Sequence, residues 1–272
     1  MSDRTTLGGR MKMYERLGSA ADVFMPGLPI IVRLDGRAFH SFTRGMDRPF
    51  DSRLAGIMDT VTEDLAKESN ACIAYTQSDE ISLLLYADGV KSQVYFGGKR
   101  DKITSILASL ATLQFNRYVA LIFPDKSNMK PVFDARAFTV PSKTEAANYF
   151  IWREQDAVRN SISMAAQAHF SHESLHGLDS KQMQEKLFAE TGVNWNDYSS
   201  RFKRGSYRQK YVTLRKYTAS EIEFLPPKHA ARSNPGLIVE RQEWRFLDCP
   251  RMTAVTNKEA VLFDGATPQV LS

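Results

Sequence analysis

The sequence lacks most of the features that mark secreted or membrane-embedded proteins. Only two cysteines, Cys72 and Cys249, occur in 272 residues, and they are too far apart to form a metal-binding motif. No apolar run approaches the roughly 20 residues of a membrane-spanning helix, and the N-terminus has no signal-type apolar core. Internal repeats and low-complexity segments are also absent. These absences predict a soluble, cytoplasmic protein with two buried free thiols and no membrane partner.

The composition is otherwise that of an ordinary globular protein. Hydrophobic residues make up 43% of the chain and charged residues 25%. The formal net charge is +5 at pH 7, which fits a polyanionic partner without requiring one. The length allows either one large domain or two.

The stretch from Pro29 to Gly45 contains the first candidate for chemistry. Ile30–Leu34 predicts a buried strand, and Asp35 and Gly36 follow where that strand is expected to end. A carboxylate beside a flexible main chain with exposed N–H groups can hold a hard cation and the phosphates it carries. The same pattern is also typical of an ordinary strand-to-turn Asp-Gly, so support must come from elsewhere in the chain.

Hydrophobic periodicity predicts the order strand, helix, strand, strand, helix, strand after an N-terminal helix at Thr5–Phe24. The predicted elements are a strand at Ile30–Leu34, a helix capped by Asp51, strands at Ala71–Thr76 and Ile81–Tyr86, a helix at Asp101–Val119 with Ile103, Ile106, Leu107 and Leu110 as its apolar stripe, and a strand at Val132–Val140. This order is typical of a ferredoxin-like α+β fold, the plan of polymerase palms, in which helices cover one face of an antiparallel sheet. We therefore predict a palm-like core in residues 1–141.

In that topology the first strand lies beside the third, and Asp35 should approach the turn that contains Asp79 and Glu80. Converging carboxylates are costly unless a cation lies between them. Two carboxylates and the carbonyl of Gly36 are oxygen ligands that Mg²⁺ accepts, as two-metal phosphoryl or nucleotidyl transfer requires. Because unrelated enzymes share this fold, the analogy by itself does not establish the chemistry.

Residues 142–272 predict a helical and small β part that packs on the core and contacts RNA. A long helix at Glu145–Phe170 carries a polar stripe that is either solvated or faces a ligand, formed by Arg153, Asp156, Asn160, Ser163 and Gln167. A shorter helix is expected to begin at the cap Ser180, and strands are expected at Tyr211–Lys216 and Val239–Arg245. The basic and aromatic segment Arg201–Lys210 is either an exposed loop or a surface for structured RNA.

Several segments, in order, resemble the signatures of the tRNAHis guanylyltransferase family. The matching segments are Arg33–His40, Phe42–Gly45, Arg48–Asp51, Ala74–Ser82, Phe133–Arg136, Tyr149–Arg153 with Asp156, and Phe202–Ser206, and the resemblance covers Gly9–Lys210. Eukaryotic members carry a His-Ile-Asn-Asn-type run where this chain has Val158–Met164. In that respect the chain resembles the guanylyltransferase-like branch found in bacteria, archaea and phages.

The resemblance implies a Mg²⁺-dependent tRNA nucleotidyltransferase that adds nucleotides in the 3′–5′ direction to the tRNA 5′ end. The implied activity is template-dependent repair of 5′-truncated tRNA, or guanylate addition to tRNAHis, or both. ATP activates the 5′ end, and the 3′-hydroxyl of GTP or another nucleoside triphosphate then attacks it. The resemblance also implies a homotetramer assembled as a dimer of dimers.

The predicted roles fall on the following residues. The catalytic set is Asp35, Asp79 and Glu80, and two Mg²⁺ ions are expected on Asp35, Asp79 and the carbonyl of Gly36. The nucleotide-binding set is Asp35, Gly36, Arg37, Ala38, Phe39, His40, Arg48, Ser78, Asp79, Lys99 and Lys102. The tRNA-binding set is Arg159, Asn160, Arg201, Lys203, Arg204, Arg208 and Lys210. Two alternatives stay open: a palm-type nucleotide cyclase, which would turn over nucleotides without RNA, and a non-catalytic tRNA-binding protein.

Overall fold

The computed structural model describes residues 23–88 and 93–271. The strands are β1 (Ile30–Arg37), β2 (Ile73–Gln77), β3 (Glu80–Leu85), β4 (Val132–Thr139), β5 (Ser206–Lys216) and β6 (Ile238–Leu247). The helices are α1 (Phe39–Phe42), α2 (Ser52–Ser69), α3 (Arg100–Ile122), α4 (Lys143–Gln167), α5 (His172–Leu175), α6 (Ser180–Thr191), α7 (Ser200–Arg204), α8 (Ala219–Phe224), α9 (Ala230–Ser233) and α10 (Lys258–Phe263). Single 3₁₀ turns lie at Tyr95–Gly98, Pro124–Met129, Trp195–Asp197 and Met252–Ala254. Within these ranges, no helix combines the length and apolarity needed to cross a membrane.

The strands form one antiparallel sheet in the order β4-β1-β3-β2-β5-β6. β1 lies between β3 and β4, so the predicted pairing of the first strand with the third is confirmed. Because side chains alternate along a strand, Ile30, Val32 and Leu34 all face one side, where they pack with Ile57 of α2 and Phe115 of α3. Both core helices therefore cover the same face, which confirms the palm-like α+β prediction.

The opposite face of the sheet is covered by α4. Ile31 of β1 and Leu84 of β3 pack there with Ala146 and Phe150 of the helix. Beyond residue 141 the chain returns to the same sheet, because β5 pairs with β2 and β6 pairs with β5. The division into parts at 1–141 and 142–272 stays a prediction.

Four local predictions need correction. β1 runs beyond Leu34 to Arg37, because β4 continues to pair with it after its pairing with β3 ends at Asp35. Helix α6 is capped by Asp179, whose side chain accepts from the main chain of Gln182, and the predicted cap Ser180 is already helical. Ile106 is 39% exposed, and Ala111 and Phe115 complete the buried stripe of α3 instead. Of the two alternatives for 201–210, the exposed loop is wrong, because the segment forms helix α7 followed by the start of β5.

Two further predictions concern the cysteines and the N-terminal helix, and the first of them is confirmed. Cys72 and Cys249 are buried free cysteines. The predicted helix at Thr5–Phe24 lies outside the described residues, apart from its last two positions.

Asp51 caps α2, as the sequence predicts. One of its carboxylate oxygens accepts from the main-chain N–H of Arg53 at 2.9 Å, and the other accepts from the Arg53 guanidinium at 2.6 Å. Hydrogen bonding to Arg53 lowers the pKa of Asp51 from 3.8 to about 2. Because the folded-state pKa is depressed, this stabilisation is present above about pH 4 and is lost as the pH falls towards 2.

We predict that Asp51→Asn lowers the free energy of unfolding by about 2 kcal/mol at pH 7 and by much less near pH 2. Urea titrations at several pH values measure the difference. Asp179→Asn is the matched control, since Asp179 caps α6 from an exposed position by accepting from a main-chain N–H. If Asp51→Asn lowered the free energy of unfolding by the same amount at every pH, the stabilisation could not come from the charged pair of Asp51 and Arg53.

Candidate active site

The sheet register brings the two predicted acidic segments together. Asp35 lies opposite Glu80 in β3 and opposite Asp134 in β4. The main-chain N–H of Gly36 donates to the carbonyl of Asp79 at 3.1 Å, which ties the end of β1 to the turn between β2 and β3. Asp35, Gly36, Asp79 and Glu80 are therefore neighbours, although their segments are more than 40 residues apart in sequence.

Close packing and backbone strain shape the segments that carry these acids. A Cβ on Gly36 would lie 2.3 Å from the ring of Phe39, so only glycine lets that ring pack against the strand. Ala38 and Ser78 adopt left-handed conformations with φ of 59° and 49°, which residues with a Cβ rarely do. Strained residues that flank two converging acids are a common feature of functional sites.

Burial and mutual repulsion disfavour the charged form of the Asp79 carboxyl. Burial raises the pKa of Asp79, and the nearby negative charge of Asp35 raises it further. Neither carboxylate forms a salt bridge with any residue in the described ranges. No cluster of three or more His, Cys, Asp or Glu side chains in the described part of the chain could hold a metal. The charge of Asp35 acts on Asp79, so the two carboxylates lie close together, and a metal ion on them and on the carbonyl of Gly36 stays a prediction.

Glu80 has a different environment from the two aspartates. Its carboxylate accepts from Nε of Arg153 in α4 at 2.8 Å, and both side chains are buried. Burial raises the pKa of Glu80, while the charge of Arg153 opposes that rise. Arg153 also donates to Asp156 at 2.5 Å, and Asp156 accepts from Arg159 at 2.8 Å. This chain of ion pairs connects the acidic turn to the face of α4.

A cavity of about 460 Å³ opens beside the acidic turn, a size typical of small-molecule sites. Its walls come from the segment 39–51, the turn residues Gln77–Asp79, one face of α4 between Ala157 and Ala168, and Arg201 with Phe202. Of the predicted nucleotide-binding residues, those that line it are Phe39, His40, Arg48, Ser78 and Asp79. Those that do not are Asp35, Gly36, Arg37, Ala38, Lys99 and Lys102.

The polar stripe of α4 divides between the ion pairs and the cavity. Asn160 and Gln167 line the cavity, whereas Arg153 and Asp156 belong to the ion-pair chain. Ser163 instead donates to the carbonyl of Arg159 at 3.1 Å. Neither alternative for the stripe holds throughout, because part of it lines the cavity and part of it forms ion pairs within the protein.

The cations predicted to bind tRNA all have partners within the chain. Arg201 and Arg208 both pair with Asp59 of α2, at 2.9 and 3.6 Å. Arg204 lies 3.7 Å from the buried Glu154. The other partners are the carbonyl of Asn196 for Lys203, the side chain of Asn70 for Lys210 and Asp156 for Arg159. These bonds hold the cations in place, and their contacts with RNA stay a prediction.

Two arginines and an aromatic pair were not identified as site residues from the sequence. Arg33 and Arg136 lie opposite each other, two residues from Asp35 and Asp134 on the same face of the sheet, and the Nε of Arg33 is buried without a hydrogen-bond partner. Strand alternation could have predicted Arg33, since it places Arg33 and Asp35 on one face. The rings of Phe50 and Phe202 stack at the cavity with centroids 4.9 Å apart, a contact with no local signal in the sequence.

Known proteins resemble this chain in sequence and in fold. Residues 8–141 match the family model described as tRNAHis guanylyltransferase. The tRNA(His) guanylyltransferases of Kluyveromyces lactis and Saccharomyces cerevisiae are 31% and 30% identical to this chain, and each alignment covers 71% of this chain and 87% of the relative. The chain belongs to the tRNAHis guanylyltransferase family. It is accordingly a nucleotidyltransferase of that family.

Solved structures support the predicted branch. A bacterial guanylyltransferase-like protein in complex with ATP is 36% identical, with a TM-score of 0.76 and coverage of 94% of this chain and 97% of that one. The GTP complex of such a protein is 34% identical, with a TM-score of 0.67. The Saccharomyces cerevisiae enzyme is 28% identical, with a TM-score of 0.61 and coverage of 68% of this chain. The resemblance to the bacterial branch is therefore confirmed.

We predict that Arg153→Met lowers the free energy of unfolding by about 3 kcal/mol or more, because it leaves the Glu80 carboxylate buried without a counter-charge. The double variant Glu80→Gln/Arg153→Met should recover part of this loss. Chemical denaturation at pH 7 measures both.

Arg159→Met is the control for that experiment. The Arg159 side chain is 54% exposed and pairs with the same Asp156, so its removal should cost about 1 kcal/mol or less. A double variant no more stable than Arg153→Met would contradict the proposed dependence of Glu80 on Arg153.

Proposed function

We propose that the protein is a Mg²⁺-dependent tRNA nucleotidyltransferase that adds nucleotides in the 3′–5′ direction to the tRNA 5′ end. The observation that carries this proposal is the convergence of Asp35, Gly36 and Asp79 beside a cavity of nucleotide size. The bacterial relatives bound to ATP and to GTP support the choice of ligand.

Asp35, Asp79 and the carbonyl of Gly36 would hold two Mg²⁺ ions. When bound, the ions would supply charge neutralisation at the phosphates and activation of the attacking oxygen. The oxygen-only donors and the mutual repulsion of the two carboxylates fit this role. Glu80, held by Arg153, keeps its charge oriented beside Asp35 and completes the proposed catalytic set.

The nucleotide would occupy the cavity, where the chain supplies both apolar and cationic contacts. Phe39, His40, Arg48 and Ser78 line the cavity. The first two and Ser78 would surround the nucleotide, and Arg48 would contact its phosphates. Arg37, Ala38, Lys99 and Lys102 lie outside the cavity lining. We propose that Arg37 and Ala38 belong to the loop that cradles the triphosphate, and that Lys99 and Lys102 contact the triphosphate and the RNA 5′ end.

The proposed reaction has two displacements at phosphorus. The 5′-phosphate of the tRNA attacks the α-phosphate of ATP and displaces pyrophosphate, which leaves AMP on the 5′ end. The 3′-hydroxyl of GTP or another nucleoside triphosphate then attacks that 5′-phosphate and displaces AMP. A tRNA that already carries a 5′-triphosphate would not need the first displacement.

We further propose that residues 142–272 contact the tRNA and that the enzyme assembles as a homotetramer. The residues assigned to RNA are Arg159, Asn160, Arg201, Lys203, Arg204, Arg208 and Lys210. Asn160 and Arg201 line the cavity, which supports their placement near the reacting 5′ end.

The first test is Asp79→Asn. We expect it to reduce Mg²⁺-dependent extension of a 5′-truncated tRNA by at least about 100-fold, since even partners that only orient metal ligands cost 10–100-fold when removed. tRNA affinity should change by less than about twofold, because the affinity of RNA complexes comes mainly from phosphate contacts. Radiolabelled extension and filter binding measure the two quantities.

The control for this test is Asp88→Asn, which changes an exposed acid beyond the end of β3. Unimpaired extension by Asp79→Asn would contradict the metal assignment. Nucleotide turnover without RNA would indicate a cyclase, and tRNA binding without Mg²⁺-dependent chemistry would indicate a binding protein.

The second test separates repair from untemplated guanylate addition. We expect incorporation to follow the base opposite the missing 5′ nucleotide, because the chain matches the bacterial branch. A series of tRNAs that differ in 5′ truncation and in that opposing base, each supplied with single nucleoside triphosphates, measures the preference. Guanylate addition regardless of the opposing base would contradict templated repair.

A further inference from the structure

The segment between α1 and α2 forms a large part of the cavity wall and contains no helix or strand of its own. Thr43, Arg44 and every residue from Met46 to Asp51 line the cavity. Within the segment, the N–H of Met46 donates to the carbonyl of Thr43 at 3.0 Å. The N–H of Asp47 donates to the side chain of Asp51 at 3.3 Å. These local bonds shape the segment but do not attach it to the core.

Met46 packs in the core and the ring of Phe50 stacks on that of Phe202. The segment's polar attachment comes from the 3₁₀ turn that follows α3. Nζ of Lys126 donates to the carbonyl of Phe42 at 3.1 Å and to the carbonyl of Arg44 at 2.8 Å. The two carbonyls lie on either side of Thr43, and the ammonium also lies 5.9 Å from the centre of the Phe42 ring. Hydrogen bonds from a charged donor are stronger than neutral ones, so one side chain holds this turn of the main chain.

A second contact from the same region fixes the other end of the segment. The guanidinium of Arg53 lies 4.7 Å from the centre of the Phe123 ring, and Arg53 also pairs with Asp51. Phe123 is buried and immediately precedes the 3₁₀ turn. The residues after α3 therefore hold the cavity wall at both of its ends.

We propose that Lys126 is a positioning residue for the nucleotide. It holds the main chain around Thr43 in the conformation that lines the cavity. Lys126 itself is absent from the cavity lining, so it acts through Thr43 and Arg44. The inference rests on the proposed function, since it takes the occupant of the cavity to be a nucleoside triphosphate.

The test uses three variants of the full chain. Lys126→Met keeps the apolar stem and removes the ammonium, Lys126→Arg restores a cationic donor, and Lys130→Met makes the same change at an exposed lysine next to the 3₁₀ turn. Each is measured by calorimetric titration with ATP, by steady-state extension of a 5′-truncated tRNA and by amide hydrogen exchange of the nucleotide-free protein.

For Lys126→Met we expect about a tenfold higher Kd for ATP and a similar rise in KM, with kcat within about threefold of wild type. Amide exchange of residues 43–47 should be at least about tenfold faster. Lys126→Arg should recover most of the ATP affinity, and Lys130→Met should match wild type. A general loss of folding would instead lower the melting temperature and kcat together.

The inference about Lys126 would be overturned if Lys126→Met left either the ATP affinity or the amide exchange of residues 43–47 unchanged. The proposed function would survive that result as long as the wild-type protein extended tRNA. If the wild-type protein bound ATP but extended no tRNA, the proposed function would fail. The amide exchange and ATP affinity of Lys126→Met, compared with wild type, would still decide the role of Lys126. If wild type bound no ATP, both proposals would be overturned.

Discussion

The constraint on which this site depends is the closeness of two like charges. Asp79 is largely buried, and the charge of Asp35 further raises its pKa, so the folded chain holds an arrangement that is unfavourable in itself. The sheet makes it possible, because the β1–β3 register and the bond from the Gly36 N–H to the Asp79 carbonyl leave the two segments little freedom to separate. The divalent cation that we propose at this site would offset that repulsion.

The rest of the molecule supports this centre from both faces of the sheet. On one face, Phe39 packs against Gly36 and holds the start of the cavity wall in the aromatic core. On the other face, Arg153 of α4 neutralises Glu80 and so prevents a third uncompensated charge beside the aspartates. Lys126 and Phe123 support the outer part of the cavity wall. Contacts on both faces of the sheet thus support the same site.

Sequence reasoning succeeded where local chemistry decided the outcome. The cap at Asp51 was predictable because an N-cap aspartate satisfies the free N–H groups of its own helix. It failed where a distant strand or side chain decided the outcome, as when β4 extended β1 to Arg37. The cations of 201–210 were predicted as exposed or RNA-binding, and no local pattern indicates that Asp59 pairs with Arg201 and Arg208.

The sequence by itself determined the order of elements, the acids at Asp35 and Asp79, and the family, because periodicity and short motifs depend on residues close together in the chain. Only the tertiary structure decided how far β1 extends, which cations are engaged by Asp59 or Glu154, and which residues wall the cavity. Those features arise from contacts between segments distant in sequence, and the free energy of such contacts depends on packing and burial that no single segment encodes.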